Sequence, residues 1–257
     1  MSLGRIWAIA SNGFREVIRD RILYLIGLFA LIMVAAWRVL PEVAAGTEDK
    51  ILLDFGLASA TVLGVIVAIF VGTGLVNKEI EKRTILLLIP KPVSRAELII
   101  GKHLGLSGVL AVLVAAMTVI YLIILTLGKV SYPMSSLVIS QAYLFLELSL
   151  LTAAALLFGV FTSSLLAVFL TFAVYLVGHL SQDMIKFAGI TRNPGFQQFA
   201  EKLYLVVPDL SRLDLKNNAV YGILPPPESL LTNAVYGLVY TILLLTIAIL
   251  IFSRREF

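Results

Sequence analysis

Long apolar runs separated by short charged patches dominate the chain, and their lengths set the first constraint. An α-helix rises about 1.5 Å per residue, so roughly 20 apolar residues cross a hydrocarbon core of about 30 Å. Ile22 to Leu40 is one such run, with Arg38 near enough to its end to snorkel. Phe55–Val76 and Leu104–Gly128 are two more, both without charge, and a last run from near Leu230 is closed by Ser253 and the charged tail. The stretch from Leu137 to Gln182 carries a single charge, Glu147. As one helix it would reach roughly 70 Å, more than twice a bilayer core. It therefore predicts two helices with a turn, for which Gly159, Ser163 and Ser164 are the natural place. The expected fold class is an all-α membrane protein with six transmembrane helices.

Ahead of the first run, Ile6, Ile9, Ala10, Gly13, Val17 and Ile18 recur at helical spacing while Arg5, Arg15 and Arg19 fall elsewhere. That pattern predicts an amphipathic interfacial helix on the inner membrane surface, with Trp7 and Phe14 at headgroup level. Val43-Ala44-Ala45 faintly resembles a signal cleavage site. The run before it is long for a signal-peptide core, so it reads as a retained span.

Composition agrees with the pattern. Hydrophobic residues make up 60% of the 257 and charged residues 14%, against roughly 45–50% and about 25% in soluble domains. So much apolar side chain needs lipid to cover it. The net charge of +4 is modest, and basic residues flank the apolar runs rather than gather on one polar region, which suits membrane orientation better than nucleic-acid binding. With no cysteine, disulfides, thiolate metal sites and cysteine nucleophiles are excluded.

Charge also orients the spans. Six spans put both termini on one side, with Arg5, Arg15, Arg19, Arg21, Lys78, Lys82, Arg83, Lys91, Arg95, Lys102, Arg254 and Arg255 against six acids. The other side has eight basic residues against nine acids, most of them in one long loop, 183–229. By the positive-inside rule the termini and segment 77–102 are cytoplasmic, and the chain sits in the cell's inner (plasma) membrane as one transmembrane domain over 1–257.

Segment 77–102 is the most informative stretch. It opens Asn-Lys-Glu-Ile-Glu-Lys-Arg-Thr, charged and helix-compatible, then Pro90-Lys91-Pro92 breaks the helix. Ser94-Arg95-Ala96-Glu97 follows as a capping box, with Val93 and Leu98 placed for a hydrophobic staple. Two helices therefore meet at a stiff, partly apolar elbow, and the second continues through Gly101-Lys102 into the third span. A free connecting loop needs no such corner; a part that receives a push from a partner does.

Residues 74–104, with Gly-Leu-Val-Asn-Lys-Glu-Ile-Glu-Lys-Arg-Thr-Ile, Pro-Val-Ser-Arg-Ala-Glu-Leu and Gly-Lys, resemble the signature between spans two and three of ABC-2-type transporter permeases. The branch of the nitrous-oxide reductase maturation permease is the most similar, also through Arg19-Asp20-Arg21, Asp54-Phe55-Gly56-Leu57 and Val207-Pro208-Asp209-Leu210. The resemblance implies a coupling helix that docks into a nucleotide-binding subunit, with Glu79, Glu81, Arg83, Thr84, Pro92, Ser94, Arg95 and Glu97 forming or supporting the docking elbow. It also implies six spans, a first amphipathic helix, a long outer loop between spans five and six, and export.

The chain itself has no Gly-x-x-x-x-Gly-Lys-Ser/Thr; Gly101-Lys102 is followed by His103. Transport powered by ATP therefore requires a separate ABC ATPase subunit holding the ATP and Mg, with no cofactor on this chain. A six-span bundle lacks a second half to gate against, so a second copy or a homologous permease is expected.

Glu147, the one acid within a span, either lines the substrate route or a subunit interface, or makes a structural hydrogen bond to a neighbouring helix. His103 is expected at the interface and His179 at a helix end, on opposite sides of the membrane and unable to share a metal. Gly72-Thr73-Gly74 reads as close helix packing, and Phe196–Leu205 as a short helix at the outer interface. An intramembrane enzyme lacks support, since there is no Gly-x-Ser-x-Gly, no paired span carboxylates and no histidine cluster. A non-transporting subunit that passes ATPase-driven force to an outer-side accessory protein would use the same elbow.

Overall fold

A computed structural model describes residues 2–43, 46–81, 94–191 and 194–254; the side chains of residues 20, 21, 76–81, 191 and 194 lie outside the description. The helices are α1 (Leu3–Val17), α2 (Leu23–Val43), α3 (Glu48–Glu81), α4 (Arg95–Leu127), α5 (Met134–Phe161), α6 (Ser164–Thr191), α7 (Pro194–Val206), α8 (Lys216–Tyr221) and α9 (Pro227–Arg254). One π-helical turn, Ile18–Ile22, joins α1 to α2, and a 3-10 turn, Leu210–Arg212, precedes α8. Six of the helices, α2 to α6 and α9, are long and apolar enough to cross a membrane.

The expected break in the long fourth run falls at Thr162-Ser163, one turn beyond Gly159. Thr162 adopts an extended conformation (φ −119°, ψ 173°) and its hydroxyl donates to the Phe158 carbonyl at 2.8 Å, covering one of the open acceptors at the end of α5. The last span begins at Pro227, three residues before the expected Leu230; proline at a first helical position loses no hydrogen bond.

Helix α5 is the centre of the bundle: 72% of its most apolar window is buried, against 17% for α2 and 22% each for α6 and α9. The outer helices leave the rest of their apolar surface on the outside of the bundle. Between apolar helices in lipid, association comes from packing and hydrogen bonds rather than exclusion of water, so close approach matters. Gly64 lies where a Cβ would come within 2.5 Å of Leu148, and Gly72 where it would come within 2.9 Å of Ala155, so α3 presses directly onto α5. Gly72 thus packs as the Gly72-Thr73-Gly74 reading expects. A side chain at Gly56 would strike the Tyr121 ring, whose hydroxyl donates to the Leu53 carbonyl at 2.7 Å and fastens α3 to α4.

The amphipathic pattern of the first residues is realised as α1, but its apolar stripe faces protein. Ile6, Ala10 and Val17 are buried, and α1 lies along α4. Phe14 packs against Gly108 of α4 rather than facing headgroups, whereas Trp7 is exposed.

Candidate functional site

The base of the predicted elbow is built at the start of α4. The Ser94 hydroxyl accepts from Glu97 N at 3.1 Å, and Ser94 N donates to Glu97 Oε2 at 2.9 Å, so the capping box is formed. A serine N-cap satisfies an amide that the helix cannot, and the glutamate three residues on returns the bond. Glu97 has a second task. Its other oxygen, Oε1, accepts from Ser2 N at 2.7 Å, and Arg5 Nη1 stands 4.0 Å from Oε2, so the first turns of α1 and α4 share one buried carboxylate.

Arg95 reaches the opposite way. Its Nη1 donates to the carbonyls of Phe252 (2.5 Å) and Ser253 (2.8 Å), and its guanidinium lies 5.7 Å from the centre of the Phe252 ring. A cation on the last carbonyls of a helix covers open acceptors and opposes the negative end of the helix dipole. Leu98 and Ile99 continue the contact, packing with Leu156, Leu157, Val160, Ala248 and Phe252. Three helices thus converge on one turn of α4.

Below that turn, Gly101, Gly105 and Gly108 form a seam along α4. A Cβ at Gly101 would lie 2.8 Å from Ile9, and one at Gly105 2.7 Å from the Ala10 carbonyl oxygen. Helix α1 is therefore seated backbone to backbone on α4. Of the elbow residues expected from the sequence, Ser94, Arg95 and Glu97 stand together here. Arg83, Thr84 and Pro92 lie outside the described residues, as do the side chains of Glu79 and Glu81, whose backbone continues α3.

A second polar group lies in the outer half of the bundle. Glu147 on α5 is buried, and its Oε1 faces His179 Nε2 of α6 at 3.4 Å. Asp214 Oδ2 stands 3.9 Å from the same nitrogen, and Lys216 Nζ lies 3.2 Å from Asp214 Oδ2. His179 is therefore not a helix-end residue: α6 runs on to Thr191, and the ring sits inside the bundle. His103 is buried against α5, with Nε2 3.1 Å from the Ser149 carbonyl. Glu147, Gln141, Ser140 and Thr61 line a cavity of about 10 Å³ roofed by residues 213–216 of the outer loop. Among the described residues, no group of three or more His, Cys, Asp or Glu side chains is arranged to hold a metal ion.

Asp209 holds that roof in place. Its carboxylate accepts from Ser211 Oγ (2.6 Å), Gln182 Nε2 (2.8 Å) and Arg212 Nε (3.1 Å), while its N–H donates to the Tyr236 hydroxyl at 2.8 Å. Burial alone would push this carboxyl up, but the hydrogen bonds from Ser211, Gln182 and Arg212 outweigh it and hold it below its ordinary value. The same bonds tie α6, the loop and α9 together. Helix α7 forms where a short outer helix is expected, spanning Pro194–Val206, and Tyr240 of α9 donates to its Val206 carbonyl at 2.8 Å.

A family model described as ABC-2 family transporter protein matches residues 7–257. No protein of curated function matches the chain.

Proposed function

The chain belongs to the ABC-2 family of transporter membrane permeases, and from that premise we propose that it exports its substrate using ATP hydrolysed on a separate ABC ATPase. The ATPase, which carries the ATP and Mg, docks on segment 77–102 of each of two permease chains, either two copies of this one or a homologous pair. The observation that carries the reading is the fastening of one turn of α4 to the start of α1 through Glu97 and to the end of α9 through Arg95. A load applied beside Ser94 is thereby delivered to three helices at once. This also puts the chain's first described residue, the elbow's base and the end of α9 at one end of the bundle, as cytoplasmic termini require. Within the family, the resemblance of residues 74–104 and 207–210 supports a place near the nitrous-oxide reductase maturation permease.

Co-purification with the ATPase tests the docking. Glu79→Lys, on the extension of α3, is expected to abolish capture of the ATPase while leaving membrane insertion intact. Undiminished capture sinks the docking assignment.

A further inference from the structure

The geometry between α5, α6 and the outer loop leads us to propose that Glu147 and His179 together form a binding site for one proton, held while residues 213–216 cover it and released outward when they lift. His179 Nδ1 lies 3.0 Å from the Tyr175 carbonyl, which can only accept, so Nδ1 carries the ring's first proton. The other ring nitrogen and Glu147 Oε1 then face one another at 3.4 Å, both buried and, among the described residues, without another hydrogen-bond partner. Two lone pairs held face to face in a low-dielectric site repel; one further proton between them, on either atom, turns repulsion into attraction. The proton belongs to the pair rather than to either residue.

Among the described residues, the charged groups around the pair are Asp214, Lys216 and Asp209. Asp214 approaches His179 Nε2 from the loop at 3.9 Å, and the Lys216 ammonium is engaged by Asp214 at 3.2 Å. Tyr175 supplies the carbonyl, and Asp209 is engaged with Arg212. Helix α3 contributes only Leu57 and Thr61 to this cavity. Lys216 lines the same cavity but is drawn to Asp214, and among the described residues no lysine or arginine stands within ion-pair distance of Glu147, so a proton shared with His179 neutralises it directly.

The sign follows from what water would do. A solvated glutamate and a solvated histidine titrate at about 4.3 and about 6.5, so at neutral pH the separated, hydrated pair lacks this proton. The covered state therefore binds one proton more than the open one. Below the ordinary histidine value both states hold one proton and the balance is level; above it, while the covered pair keeps its proton, the covered-to-open ratio falls about tenfold per pH unit. This inference is independent of ATPase docking, because neither nucleotide nor partner enters it.

The chain has no cysteine, so Asn217→Cys, at an exposed position beside the roof, gives a single site for a spin label. In the full-length chain in lipid nanodiscs without nucleotide, label mobility is expected to stay level near pH 5 and to rise above the ordinary histidine value of about 6.5 with a slope of up to one proton. Glu147→Gln keeps the shape of the side chain and removes the carboxylate, and is expected to flatten the profile above the ordinary histidine value of about 6.5. Where that variant does not fold, Glu147→Met serves in its place. A wild-type profile that stays flat up to pH 9, or a rise above the histidine range that survives loss of the carboxyl, overturns the assignment.

Discussion

Gly105→Ala isolates the seam that binds α1 to α4. The added Cβ would meet Ala10 at three backbone atoms: the oxygen at 2.7 Å, Cα at 3.3 Å and the carbonyl carbon at 3.4 Å. Ordinary contact begins near the last of these distances, so the overlap is confined to backbone that no rotamer change can move. Helix α1 must step away from α4 by several tenths of an ångström. Overpacking of this kind costs about 1–3 kcal/mol, and the better helix propensity of alanine returns up to about 1 kcal/mol. The net loss, about 1 kcal/mol, falls on the α1–α4 contact rather than on the bundle core. Near 1.4 kcal/mol corresponds to a factor of about ten, so amides of α1 are expected to exchange with deuterium up to about tenfold faster, with α5 unchanged. Gly13→Ala, where an added Cβ meets nothing within 4 Å, is the control and should leave exchange equal or slower. Exchange in α1 that is unchanged by Gly105→Ala, or accelerated equally by both substitutions, refutes the seam.

Arg95→Leu should free the last carbonyls of α9, so that exchange near residues 250–254 rises while the protein remains inserted; Arg95→Lys, which keeps a cation, should rescue part of the protection. The Asp209 carboxyl is held below its ordinary value in the folded loop, so its contribution is complete above the ordinary aspartate range and is lost only as pH falls through the depressed value. Protease resistance of the outer loop should therefore persist through mildly acidic pH and fall below the usual carboxylate range, and Asp209→Asn should show weaker resistance at neutral pH. Gly56→Ala drives a Cβ into the Tyr121 ring and should lower the midpoint of thermal unfolding more than Tyr121→Phe, which forfeits a single hydroxyl contact to Leu53.

What was legible in the sequence divides by distance along the chain. Spans are local: lipid demands a helix of fixed length, and each apolar run carries its own evidence. The capping box is local too, because Ser94 and Glu97 are one helical turn apart. Periodicity likewise disclosed that α1 has an apolar face, yet a face is silent about its occupant. The glycines at 101, 105 and 108 of α4 were the available sign, since small residues at helical spacing mark a surface that another helix approaches closely. The remaining contacts depend on how distant segments return. Arg95 meets carbonyls 157 and 158 residues away, and nothing local in either segment announces the pairing. Glu147 stood out as the one acid in a span, but its partner did not. His179 faces it only because the turn at Thr162-Ser163 sets the rotation of α6 against α5, and because Asp209 folds the outer loop back over both. A buried carboxylate in an apolar run signals that some neutralising neighbour must exist, and which residue supplies it is decided by packing.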